Sequence, residues 1–154
     1  DVQGLASGVV SITAGENHAC VVTADGGGKC WGKGTNGQLG NNTKTNTGTP
    51  SNVYNLQSGV AKIMAGSLNT CALMTGGGVK CWGRAGYLGD GKSVESGRPV
   101  DVINLTEKAV DIAVYDSSCA LFADGKAKCW GSGSFGLLGN GSVTNSHSPI
   151  EAFP

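Results

Sequence analysis

Val, Ile, Leu and Trp recur along this chain in short runs separated by glycine-rich and polar turns, a pattern that predicts many short strands. Three of the runs, Val9 to Thr13, Val60 to Met64 and Val110 to Val114, each lead into a cysteine, at Cys20, Cys71 and Cys119. These cysteines lie 51 and 48 residues apart, and Cys30-Trp31-Gly32, Cys81-Trp82-Gly83 and Cys129-Trp130-Gly131 repeat the same intervals. Behind each Trp-Gly comes a glycine-rich loop that ends at Leu39-Gly40, Leu88-Gly89 or Leu138-Gly139. Each unit closes with a proline and a further extended run, Pro50 to Leu56, Pro99 to Leu105 and Pro149 to Phe153.

A period near 50 residues holding about four short strands is the mark of β-propeller blades. The expected fold is therefore all-β: three repeats, each a four-stranded antiparallel sheet. The expected boundaries are a closing strand of a preceding blade over 1–7, then repeats over 8–58, 59–107 and 108–154.

The central hairpins fix the place of the cysteines. Ala24-Asp25-Gly26, Thr75-Gly76-Gly77 and Ala123-Asp124-Gly125 read as three-residue loops, a type I turn followed by Gly in the left-handed region. Pairing outward from them sets Cys20 opposite Cys30, Cys71 opposite Cys81 and Cys119 opposite Cys129, within reach of a disulfide. The competing readings are a metal site, which has only His18 and His147 to help it and lacks tight Cys spacing, and six reduced thiols. Disulfides imply an oxidising compartment, hence a secreted or cell-surface protein. Asn41, Asn104 and Asn140 stand in glycosylation sequons. Asn41 and Asn140 also follow Leu-Gly where the second copy has Asp90, which a turn-forming residue explains without sugar.

Composition supports this picture. Glycine makes up 27 of 154 residues, which argues against a helical protein, and with only 4 Pro and no three-residue period collagen is excluded. No apolar run approaches the ~20 residues of a membrane span. Lys and Arg number 11 against 11 Asp and Glu, with no basic block, so neither nucleic acid nor an anionic membrane is an expected partner.

Val9 to Gly15, Asn17 to Val22, Lys29 to Gly32 and Gly37 to Gly40 together resemble the regulator of chromosome condensation repeat. The second copy fits through Ile63 to Gly66 and Cys71 to Leu73; the third departs, with Tyr115 in the place of Gly66 and one residue fewer before Cys119. The resemblance implies a propeller, usually of seven blades, that serves as a rigid platform for other macromolecules. Its paired-cysteine form resembles extracellular, largely bacterial, repeat proteins. Trp31, Trp82 and Trp130, one per repeat at one register, are expected in the core between blades.

Three blades fall short of the four to eight that close a ring, so two blade faces are expected to be uncovered. The chain starts at Asp1 within a closing strand and stops within another, which fits either head-to-tail association of copies or a piece of a longer array.

Catalytic chemistry is sparse. No Ser sits in a nucleophile-elbow context, and the Gly26 to Gly28 and Gly76 to Gly78 stretches are turns that precede no helix. His18 stands beside the carboxylate Glu16, but Asn69 and Ser117 hold its place in the other copies, which suits a structural polar role. No cofactor or metal is expected. Recognition is then assigned to loops that differ between copies. One set holds Glu16, Asn17 and His18, Leu68 and Asn69, and Tyr115 and Asp116; the other runs over 33–38, 84–87 and 132–137, with Arg84, Tyr87 and Phe135. The leading expectation is a non-catalytic secreted module that binds an extracellular protein or copies of itself. The alternative is a lectin whose repeated loops hold glycans.

Overall fold

The computed structural model describes residues 2–152. The first sheet contains β1 (Val9–Ala14), β2 (His18–Thr23), β3 (Gly28–Gly32) and β4 (Thr47–Asn52). The second contains β5 (Val60–Ala65), β6 (Asn69–Met74), β7 (Val79–Gly83) and β8 (Ser96–Asp101). The third contains β9 (Ala109–Val114), β10 (Ser117–Phe122), β11 (Ala127–Gly131) and β12 (Ser146–Glu151). Each sheet is antiparallel with its strands in chain order, so each is one blade of a propeller.

The central hairpins follow the expected register. Cys20 faces Cys30, Cys71 faces Cys81 and Cys119 faces Cys129, with Cα atoms 4.1 Å apart and a disulfide joining each pair. In the third blade Phe122 N–H donates to Lys126 O and Gly125 N–H to Phe122 O, closing the three-residue loop. Gly26, Gly77 and Gly125 sit at φ 75°, 84° and 86°, where a Cβ would be strained.

The closing strands begin earlier than expected. They start at Thr47, Ser96 and Ser146, three residues before the prolines, and end at Asn52, Asp101 and Glu151. The last expected run reaches Phe153, which lies outside the described residues. A bulge explains the difference: between Cys30 and Gly32 of β3 the partner positions on β4 jump from Ser51 to Thr47, so Pro50 occupies a stretch of edge strand without ladder pairing. Proline is tolerated at an edge or a bulge because no N–H is needed there.

Two apolar clusters hold the blades together. Between the first and second blades, Cys20, Val22, Cys30, Val53 and Leu56 meet Val60, Ile63, Ala65, Ala72 and Trp82. Between the second and third, Cys71, Leu73, Val79, Cys81 and Val102 meet Ala109, Ile112, Val114, Ala120, Phe122 and Trp130. Every blade thus has a disulfide face and a tryptophan face, and the disulfide face of one packs on the tryptophan face of the next. Trp82 and Trp130 are fully buried, as expected of the core between blades, whereas Trp31 at the same register is only half-buried. Gly40 lies against the Trp82 indole so closely that a Cβ there would stand 2.6 Å from Nε1.

Candidate functional site: the loop-bearing edge

Strand alternation gathers the variable loops. Chain direction reverses at each strand, so the β1–β2 and β3–β4 connections of a blade leave from one edge and its β2–β3 hairpin from the other. Backbone bonds tie the two loop sets together in every blade: Lys33 N–H to Asn17 O at 2.8 Å, Arg84 N–H to Leu68 O at 3.0 Å, Ser132 N–H to Asp116 O at 3.1 Å. The sequence treats these loops as two sets; the structure makes them one surface.

The residues proposed for recognition divide by burial. Glu16, Asn17, Arg84, Asp116 and Tyr115 are exposed, Tyr115 by 57%. Leu68 and Tyr87 are half-buried, and the Arg84 guanidinium stands 5.3 Å from the Tyr87 ring centroid. Phe135 is 99% exposed, in a short 3-10 turn over Ser134–Gly136, with Leu137 also exposed beside it. Its φ of 58° is left-handed, a conformation that costs a bulky residue about 1–2 kcal/mol.

His18 and Asn69 are buried, and so cannot take part in such a surface as the sequence reading expected. Their side chains reach the next blade: His18 Nε2 lies 2.7 Å from Thr70 Oγ1, and Asn69 Nδ2 donates to Ser118 Oγ at 3.2 Å. Thr70 gives its one hydroxyl proton to Gln38 O at 2.7 Å, so it accepts from His18 Nε2–H. That leaves Nδ1 as a buried lone pair without a partner among the described residues. Gln38, counted with an exposed loop in the sequence reading, is fully buried, and its carbonyl also accepts from Trp82 Nε1 at 2.9 Å. No signal within its own repeat marks it, because both partners come from the next one.

Burial pushes the His18 imidazole down to about pKa 4, from 6.5. The unfolded chain therefore takes up this proton first as pH falls. Stability is full above pH 6.5 and declines until the folded form also protonates near 4. At pH 5 the expected loss is about 2 kcal/mol relative to pH 7. Urea midpoints of the parent and of His18→Asn at the two pH values check it, since Asn carries no proton to bind. An equal acid loss in both would place the effect elsewhere.

The Asx positions form turns: Asn41, Asp90 and Asn140 accept through Oδ1 from the N–H of Thr43, Lys92 and Ser142. The Asn41 amide also donates to Ser51 Oγ, whereas Asn104 is exposed at φ 58°. All six cysteines are in disulfides. Among the described residues no helix is long and apolar enough to cross a membrane.

Sequence models of the regulator of chromosome condensation (RCC1) repeat match residues 9–38 and 110–137, and a second model of that repeat matches 30–73. The chain belongs to the RCC1-repeat family. Human E3 ubiquitin-protein ligase HERC2 is 30% identical over 147 residues, a match that covers 91% of this chain and 3% of the ligase. Among solved structures, human WBSCR16 superposes with a TM-score of 0.86 at 24% identity, over 100% of this chain and 42% of that one. Prp20p of Saccharomyces cerevisiae gives 0.80 at 24% identity, over 96% of this chain and 39% of that one. The chain thus spans a small part of the ligase and about two fifths of each solved propeller. RCC1-repeat proteins often mediate protein interactions.

Proposed function

We propose that this RCC1-repeat chain is an extracellular, non-catalytic binding module that takes a protein partner on its loop-bearing edge and associates with copies of itself through its end blades. The observation that carries the first part is Phe135. An aromatic side chain held fully in solvent by a strained backbone adds nothing to the fold, and such outliers gather at functional sites. With Tyr115, Leu137 and the Arg84–Tyr87 pair it supplies the aromatic and arginine anchors that dominate protein interfaces. The extracellular setting is supported by the three disulfides, which cytosolic thiols would reduce.

The test is capture of a partner from the native extracellular milieu with the immobilised chain, followed by titration of the purified partner. Phe135→Ala is expected to weaken binding about ten-fold or more, as a hot-spot residue does, with the urea midpoint unchanged or raised. Undiminished binding by Phe135→Ala and Tyr115→Ala together would remove this surface from the reading. Competable hits on a glycan array, with no protein captured, would replace it with a lectin.

A further inference from the structure

Where the first blade meets the second, a groove of about 390 Å³ opens along β8, the edge strand of the second sheet. The first blade lines it with Tyr54 and Asn55, from the segment after β4, and the second with Lys80, Ser96, Arg98 and Pro99. Both sides belong to the described chain, so the groove owes nothing to what stands beyond either end blade. None of these residues lies in the loops assigned above to recognition. The matching positions at the next junction carry different chemistry. Counted from the prolines, Arg98 corresponds to Ser148 and Tyr54 to Ile103. Those two lie together against Gly91, where an added Cβ would stand 3.1 Å from Ile103 Cδ1 and 3.4 Å from Ser148 Oγ. At the first junction the Arg98 guanidinium stands 5.6 Å from the centroid of the Tyr54 ring, and Tyr54 is 39% exposed.

Local structure presents this arginine, and charge narrows what it can hold. Between Cys81 and Gly83 of β7 the partner positions on β8 jump from Val100 to Ser96, so Arg98 rides on a bulge. Ser96 Oγ secures that bulge, donating to Arg98 O at 2.7 Å and accepting from Arg98 N–H at 3.2 Å. Lys80 Nζ is bonded to Asp101 Oδ1 at 2.5 Å, whereas Arg98 makes no ion pair among the described residues. The groove therefore keeps one uncompensated positive charge, carried on a planar fork of donors that fits a carboxylate.

We propose that the groove between the first and second blades binds the carboxylated sugar unit of an acidic glycan, with Arg98 on the carboxylate and Tyr54 and Asn55 on the sugar ring. Pro99 has no N–H and the Arg98 N–H is already bonded, so a partner's strand finds no donors to extend the sheet along this stretch. The occupant is then held by side chains: a guanidinium fork, a phenol hydroxyl and an amide set around an apolar ring. A uronic acid matches that set, since it joins one carboxylate to several hydroxyls and apolar C–H faces. The volume is at the small end of the range for ligand pockets, which suits a single ring. This site is separate from the protein-binding edge and does not rest on it.

NMR titration of the isotope-labelled chain with D-glucuronate, with D-glucose as the uncharged counterpart, tests the site. Glucuronate is expected to shift the Arg98 Nε–H signal and the backbone amides of Tyr54 and Asn55. The expected dissociation constant is on the order of 1 mM, as suits a ligand of this size. D-glucose is expected to bind about ten-fold more weakly or worse. Arg98→Ser, which installs the residue of the third blade, is expected to weaken glucuronate about ten-fold or more with an unchanged urea midpoint. Arg98→Lys is expected to recover part of the loss, because it keeps the charge without the fork. Equal affinity for the two sugars, shifts confined to other residues, or undiminished binding by Arg98→Ser overturns the site. A glutamate-rich peptide that shifts these residues where glucuronate does not replaces the sugar with an acidic protein segment. Phe135→Ala is expected to leave the titration unchanged, so failure of this site and failure of partner capture are read separately.

Discussion

Trp82→Ala is expected to lower the stability of the chain by about 4 kcal/mol, and Trp31→Ala by about 1 kcal/mol. The two residues share the same Cys-Trp-Gly context and the same place in their strands. What differs is the neighbour. Trp82 is fully buried in the cluster with Cys20, Cys30, Leu39 and Val53, and its indole N–H is bonded to Gln38 O. Its removal opens a cavity between two blades and leaves that carbonyl with Thr70 alone. Trp31 is half-buried on a face that no blade among the described residues covers, so water reaches the space it vacates. Urea unfolding at a dilution where chains are single measures both. Equal costs would show that the indole stabilises its own hairpin rather than the junction.

Replacing both members of the central disulfide, Cys71→Ala with Cys81→Ala, is expected to cost about 3 kcal/mol. A closed loop of roughly ten residues accounts for nearly all of that through the freedom it removes from the unfolded chain. Because both sulfurs are fully buried under the third blade, mild reductant, at a dilution where chains are single, is expected to reach Cys119–Cys129 first, where Cys119 is partly exposed. Timed alkylation with mass analysis of the labelled cysteines gives the order. Opening of Cys71–Cys81 ahead of Cys119–Cys129 would contradict the packing of the second blade on the third.

Local rules carried the sequence a long way. Three glycine-bearing turns determine the hairpin register residue by residue and set the cysteines in opposed pairs, and the structure repeats it. The prolines misled in the closing strands, because Pro50 marks a bulge inside β4 and not the start of the strand. His18 looked like a loop residue beside Glu16, yet its bond runs to Thr70, 52 residues away, and only the stacking of blades makes that pair. Gln38 was hidden for the same reason. The single-sided exposure of Trp31 could be foreseen from the number of repeats, whereas the left-handed Phe135 could not, since no turn rule places a bulky residue there.

Among the described residues, extensive packing joins only successive blades, and that has an evolutionary corollary. A unit bounded by the same two faces can be duplicated, deleted or exchanged without redrawing the rest, because each newcomer meets surfaces it already fits. Selection is then free to diversify the rim one unit at a time while the stack stays intact.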